Sequence, residues 1–371
     1  MINKKINKDC KYFKGYKPCK YNKEYGIECE NCDFYKPFSH HILIIKLAGI
    51  GDVIRTTPIL RRLKSLYPDV KIWWLTEYPE ILSKEVDCKI KFDFKGIEII
   101  KSINFGSIYN LDKSPEACTI MGKLSAIIHK GFRMNSMYGV IEPIDSNANH
   151  KYLTGLFDNV SKENKKHYVE EIFEICDIGK FEGEEYLLPE IIPKECLCHP
   201  TSRDSDILLL IQDFKEGKKI VGLNIGCGDR WKSREWKREN WILLSRSLIR
   251  KGYEVVILGG EKEHVTNKYI AERSGAKYYG TFPIDIFSSI VNICDIVVSS
   301  VTSTMHIAIG LKKKVVVLNN IFNKNEFYLY NRGKIVEPEI ECDCYYSEYC
   351  KNDCINKITV DKVLQTVEEL L

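Results

Sequence analysis

Twice in this 371-residue chain a strand-length aliphatic run leads straight into Gly-x-Gly-Asp and then into a helical pattern. The first run is residues 41–47 (HILIIKL), followed by Gly49-Ile50-Gly51-Asp52. The second is residues 219–225 (KIVGLNI), followed by Gly226-Cys227-Gly228-Asp229. An unbroken apolar run of this length suits a strand buried on both faces, which is the habit of parallel sheets. Parallel neighbours need a crossover, so each run predicts the start of a βαβ series. After the first turn, Val53, Ile54, Thr57, Leu60, Leu63 and Tyr67 recur at helical spacing, with Arg55, Arg61, Arg62 and Lys64 on the other, solvated face. Pro58 predicts that this helix begins or bends there. A second strand follows at 70–75.

Further strands are expected at 107–111, 254–258, 295–299 and 315–318. Helices are expected at 116–128, 167–176, 239–251, 262–273, 286–293, 303–311 and 360–371. The polar stretch 135–165 gives no periodic signal. Residues 189–206 hold three prolines and several charges and read as linker. The predicted organisation is a Cys-rich segment at 1–39, a Rossmann-like domain at 40–190, a linker at 191–206, a second Rossmann-like domain at 207–340, and a Cys-rich segment with a final helix at 341–371.

Composition excludes several classes. Apolar residues make up 44% of the chain, enough for packed cores. The 55 basic and 51 acidic side chains leave a net charge of only +4, without the basic excess of a dedicated nucleic-acid binder. No run of about 18 apolar residues exists to span a bilayer, and the start (MINKKINKDC) has no apolar signal core. A cytoplasmic location is therefore expected, where thiols stay reduced and clustered cysteines read as metal ligands ahead of disulfides.

Several motifs carry chemistry. Gly49 and Gly51 allow a tight strand-to-helix turn, and Asp52 at the carboxyl end of a parallel strand could serve as general base. An Asp is also a common helix N-cap. Neither turn is a GxGxxG fingerprint, since Ile54 and Trp231 stand where the third glycine belongs. Arg230, Lys232 and Arg234 cluster beside Trp231 and Trp236, as phosphate-binding cations or as a solvated basic face. Thr302, Ser303, Thr304, Met305 and His306 open a predicted helix, whose first amides could hold an anion or simply be capped by hydroxyls. Glu263, beyond Gly259-Gly260, could accept from ribose hydroxyls or be an exposed helix-start residue.

Eight of the fifteen cysteines fall in two short segments. Cys10, Cys19, Cys29 and Cys32 are spaced C-x8-C-x9-C-x2-C, and Cys342, Cys344, Cys350 and Cys354 are spaced C-x-C-x5-C-x3-C. Four thiolates suit zinc, iron or an iron–sulfur cluster. The first segment has few apolar residues and needs a staple to order. Cys88, Cys118, Cys176 and Cys294 read as core residues, and Cys196, Cys198 and His199 as structural.

Taken in order, residues 41–60, 221–228, 230–236, 256–260 and 305–308 resemble the family 9 glycosyltransferases, the heptosyltransferase family. The resemblance spans about residues 41–371 and implies a GT-B fold, two Rossmann-like domains facing a central cleft. It implies inverting transfer of a sugar, usually a heptose from ADP-heptose, to a hydroxyl of a cell-surface glycan such as lipopolysaccharide, or of a protein. No catalytic metal is implied. Asp52 matches the family's general base, Arg234 a phosphate-binding cation that is usually Lys, Glu263 the ribose-binding carboxylate, and Thr302–His306 the diphosphate-binding loop, with Gly49, Gly51, Gly226, Arg230 and Lys232 around the nucleotide sugar. A Cys-rich segment before the last helix also fits and implies structural zinc or iron; the N-terminal segment is an extension. The expected partners are a nucleotide diphosphate sugar and a glycan or protein acceptor, with peripheral contact at the inner membrane face allowed. The chain departs from the family at Val301, where an Asp is usual, at Ser303-Thr304 in place of Gly-Pro, and at Asn319–Phe322, which lacks a Gly-rich turn. Those departures leave a non-catalytic binder of nucleotide sugars or glycans as the alternative.

Overall fold

The structure is a computed structural model that describes residues 4–190, 217–228, 230–340 and 342–371. Cys196, Cys198, His199, Asp229 and most of the predicted linker lie outside the described residues. By contacts the described chain forms two compact units. One holds the chain up to Ala48, Thr57–Tyr152 and Ile172–Lys180; the other holds Gly49–Thr56, Leu153–Glu171 and the chain from Phe181 onward.

The first unit is built on a six-stranded sheet. Its strands are β1 (His40–Ile45), β2 (Val70–Thr76), β3 (Cys88–Lys91), β4 (Phe105–Asn110), β5 (Ala126–Asn135) and β6 (Val140–Pro143), in the order β3-β2-β1-β4-β5-β6. All neighbours are parallel except the β5–β6 pair. The apolar run at 42–45 is buried on both faces, as a central parallel strand requires. Leu43, Ile45, Leu75, Ile108 and Ala117 share one core cluster. Each fully buried Leu or Ile contributes about 1.5–3 kcal/mol of transfer free energy.

The second unit carries an all-parallel five-stranded sheet of β7 (Ile220–Asn224), β8 (Glu254–Leu258), β9 (Ile296–Ser300), β10 (Lys314–Leu318) and β11 (Gly333–Val336), in the order β11-β10-β9-β7-β8. Its core joins Val221, Leu223, Trp236, Trp241 and Val298 to Val363 and Val367 of the last helix, Val360–Leu370. This is the expected α/β class, with two parallel-sheet halves. Among the described residues no helix is long and apolar enough to cross a membrane.

Three local expectations change. The helix read over 53–67 is two helices, Ile50–Thr56 and Ile59–Leu66, with Pro58 heading the second. Proline lacks the amide that would continue the first. The helix expected over 116–128 stops at Met121. The apolar residues beyond it belong to β5, which pairs in parallel with β4 from Ala126. Cys118, Cys176 and Cys294 are buried as expected, whereas Cys88 is half-buried on the edge strand β3.

Candidate active site

The candidate site lies within the second unit, where the short helix Ile50–Thr56 packs against the helix Ser303–Gly310. Gly49 turns the chain at φ +77°, and Gly51 is the point of closest approach. A Cβ on Gly51 would sit 2.6 Å from Cδ2 of His306, so only glycine lets the two helices meet there. Asp52 follows in the first turn and reaches Arg55, whose Nη2 is 2.8 Å from its Oδ1.

Arg55 corrects the solvated-face expectation. Its guanidinium lies 3.6 Å from the ring centroid of Tyr168, and its Nη1 is 4.0 Å from Glu326. Burial works against its charge, but Asp52, then Tyr168 and Glu326, more than offset that and keep it protonated. Arg62 also turns inward, donating to the carbonyls of Ile178 and Lys180.

The first turn of the 303–310 helix stands on a hydroxyl and amide network at the ends of β7 and β9. Asn224 Nδ2 donates to Ser299 Oγ at 3.1 Å and Thr302 Oγ1 at 3.3 Å, and Thr304 Oγ1 donates to Asn224 Oδ1 at 2.9 Å. Thr302 makes no side-chain cap to the first turn. Its amides are thus a ready anion site by geometry and dipole.

Gly49, Gly51, Asp52, Arg230, Thr302, Ser303 and His306 line one cavity of about 520 Å³, together with Arg55, Trp231, Val301, Phe322, Glu326, Phe327 and Tyr346. That size suits a small-molecule ligand. Gly226, Lys232, Arg234, Glu263, Thr304 and Met305 are not among its lining residues. Gly226 and Glu263 instead abut one another: a Cβ on Gly226 would lie 2.5 Å from the Glu263 carboxyl group. Glu263 also accepts from the Gly260 amide at 3.0 Å. Lys232 is exposed, while Thr304 and Met305 are buried.

Arg234 is buried and occupied with backbone. It donates to the carbonyls of Val301 and, at 2.7 Å, Cys227. Burial pushes its pKa down to about 10, which leaves it charged. Arg230 is exposed and pairs with Glu348 at 3.1 Å.

His306 is buried, and its Nδ1 has no protein partner. Burial, aided by Arg55 and opposed by Asp52, pushes its pKa down to about 3. An unfolded His takes a proton near pH 6.5, so between about pH 6.5 and 3 the unfolded chain binds the extra proton. Stability from this group is therefore lost as pH falls through that window. His306→Gln is expected to flatten the drop in Tm across it. Parallel curves for variant and wild type would assign the acid sensitivity to other groups.

The segment after β11 brings the C-terminal cysteines together. The sulfurs of Cys342, Cys350 and Cys354 lie within 4.8 Å of one another, with Cys342 and Cys350 at 3.8 Å. Cys344, also expected as a ligand, is buried and its thiol interacts with that of Cys350, but it is not part of that group of three. A tetrahedral ion with metal–sulfur bonds of about 2.3 Å spaces its ligands at about 3.8 Å, so this soft donor set fits one zinc or iron ion. Between these cysteines, Tyr346 packs on Trp231 and Phe322. Ser347 and Glu348 accept from the Ser233 hydroxyl and amide at 2.6 and 3.0 Å.

Sequence periodicity missed Arg55, Glu326, Phe322 and Tyr346. The one signal available for Arg55 was its place one helical turn after Asp52.

A sequence model of glycosyltransferase family 9 (heptosyltransferase) matches residues 152–354, more than half of the chain. The chain belongs to this family. It is thus a glycosyltransferase. The enzyme is similar in structure to a family 9 glycosyl transferase from Veillonella parvula, with a TM-score of 0.67 at 17% identity over 90% of this chain and 97% of that one. It is also similar to the ADP-heptose LPS heptosyltransferase II of Escherichia coli, with a TM-score of 0.62 at 17% identity over 89% and 98%. A third likeness is to TibC, an iron-containing dodecameric glycosyltransferase of enterotoxigenic E. coli, with a TM-score of 0.53 at 12% identity over 90% and 76%. At these identities the likeness shows the GT-B-like fold. No curated protein matches the sequence at a significant level.

Proposed function

We propose that the enzyme transfers a heptose, with inversion, from ADP-heptose or a closely related nucleotide diphosphate sugar to a hydroxyl of a cell-surface glycan or a protein. Asp52 takes the acceptor proton as general base. The amides of residues 302–306 and the cation of Arg230 hold the departing diphosphate, as developing negative charge requires. Arg55 is a positioning residue that aims the Asp52 carboxylate. Arg234 fixes the loop carrying Arg230, and Glu263 receives the ribose next to Gly226.

The observation that carries this reading is the meeting, in one cavity, of a carboxylate (Asp52) with a helix N-terminus and a cation (Arg230). Two buried polar atoms nearby, Arg55 Nε and His306 Nδ1, lack protein partners, and such atoms favour a polar ligand. The E. coli heptosyltransferase is described as acting with ADP-heptose. Val301, the residue behind the non-catalytic alternative, contributes its backbone carbonyl to Arg234.

The reading assigns 40–190 to the acceptor and 207–340 to the donor, at the cytoplasmic face of the membrane. It places one structural zinc or iron ion on Cys342, Cys344, Cys350 and Cys354, with no part in the chemical step.

The test is a thermal-shift and hydrolysis screen against ADP-heptose, GDP-heptose, UDP-hexoses and the free nucleotides. The expected result is stabilisation by ADP-heptose with slow release of ADP. A larger shift and turnover with a UDP- or GDP-sugar would overturn the donor assignment.

A further inference from the structure

The N-terminal cysteines differ from the C-terminal set in one measurable respect. Cys10, Cys19, Cys29 and Cys32 all line a single cavity of about 270 Å³ in the first unit. Among the described residues, no three of these sulfurs lie within 4.8 Å of one another, whereas three C-terminal sulfurs do. One tetrahedral ion draws its thiolates to about 3.8 Å, so four cysteines that share a cavity without any three of their sulfurs meeting suit a body bigger than a single atom. All four are free thiols.

The segment around them has almost no core. Of residues 4–39, only Cys10 and Lys11 are buried. Regular structure amounts to the six-residue helix Lys20–Tyr25 and a 3-10 turn at Cys29–Asn31. Cys19 caps that helix, its sulfur accepting from the Asn22 amide at 3.5 Å. An amide donor to a cysteine sulfur is a normal feature of cluster sites and tunes their potential. Such a segment cannot fold on hydrophobic burial and needs a staple. The walls between the cysteines are aromatic, with Tyr21 stacked on Phe34 at 4.0 Å and Tyr12 edge-on to Tyr21 at 4.9 Å.

We infer that Cys10, Cys19, Cys29 and Cys32 bind a polynuclear iron–sulfur cluster, distinct from the single ion at the C-terminal cysteines. Each thiol gives its proton to solvent as its sulfur bonds to iron, and the iron and bridging sulfide occupy the cavity that the four cysteines line. This inference does not depend on the donor or acceptor of the transferase.

The experiment is iron and acid-labile sulfide analysis of the full-length protein, purified without oxygen and reconstituted with ferric iron, excess thiol as reductant and sulfide. The expected result is two or four sulfides per chain, with a visible charge-transfer absorption bleached by dithionite. Cys29→Ala with Cys32→Ala is expected to abolish the sulfide, and Cys350→Ser to keep it. Zinc or iron without acid-labile sulfide in the wild-type chain would overturn the inference. So would sulfide that survives the N-terminal double substitution.

Discussion

Replacing Asp52 by Asn is expected to lower sugar transfer by about two to four orders of magnitude, the range for loss of a general base. The substitution is almost isosteric. The backbone carbonyl of Asp52 still accepts from the Thr56 hydroxyl, so the helix Ile50–Thr56 keeps that bond. Arg55 keeps Glu326 and the face of Tyr168. The Asp52 side chain is 37% exposed, so solvent screens its pair with Arg55. The expected stability loss is therefore no more than about 1 kcal/mol. Donor binding should survive, because the amides at 303–306 and Arg230 are untouched. Transfer rates, the donor-induced shift in Tm and the unliganded Tm together decide the matter. Transfer retained at wild-type rate would remove Asp52 from the proton transfer. A collapse of Tm would show that its role is structural.

What the sequence made legible follows from burial. The runs at 42–45, 220–224, 296–300 and 315–318 are buried on both faces, so apolar continuity alone marks them as central parallel strands. The edge strand Cys88–Lys91 alternates half-buried and exposed residues, and Gly333–Val336 is short and only partly covered, so neither produces such a run. The Gly49-x-Gly51-Asp52 turn was readable because glycine and Asp have local reasons to be there. Arg55 was not. Its burial depends on Tyr168 and Glu326, which the chain brings back from much later in the sequence, and helical periodicity carries no information about them. Arg234 shows the converse. A basic loop residue reads as a phosphate ligand, yet the carbonyls of Val301 and Cys227 accept from its two terminal nitrogens, and its buried Nε has no hydrogen-bond partner. Tyr346 enters the cavity only because the segment between Cys342 and Cys354 folds onto the 230–234 loop.

That last packing leads to the expectation that a metal ion held by the C-terminal cysteines would support the proposed donor site. The segment 342–354 buries only Cys344 and Cys354 among its described residues, so it has no apolar core of its own. Its attachments are polar or aromatic: Ser347 and Glu348 to Ser233, Glu348 to Arg230, and Tyr346 to Trp231 and Phe322. With an ion joining Cys342, Cys344, Cys350 and Cys354, the loop is cross-linked at its base and these contacts form without further loss of chain entropy. Without the ion, the loop has to be ordered by hydrogen bonds worth about 1 kcal/mol each. Stripping the metal with a chelator, or substituting Cys350→Ser, is therefore expected to lower Tm on the order of 10 °C. It should also weaken donor binding by roughly tenfold or more, because Arg230 and Trp231 lose their backing. Calorimetric titration of the donor into loaded and stripped protein, with metal content measured in each, reads the effect without relying on turnover. The core around Trp236 and Trp241 draws mostly on the five-stranded sheet and the helices Arg238–Arg250 and Val360–Leu370, so stripped protein should remain folded enough to titrate. Readdition of zinc or ferrous iron should restore both Tm and affinity. Donor affinity unchanged on stripping would confine the ion to local order in its own loop and leave the site standing on β7, β9 and the helix Ser303–Gly310 alone.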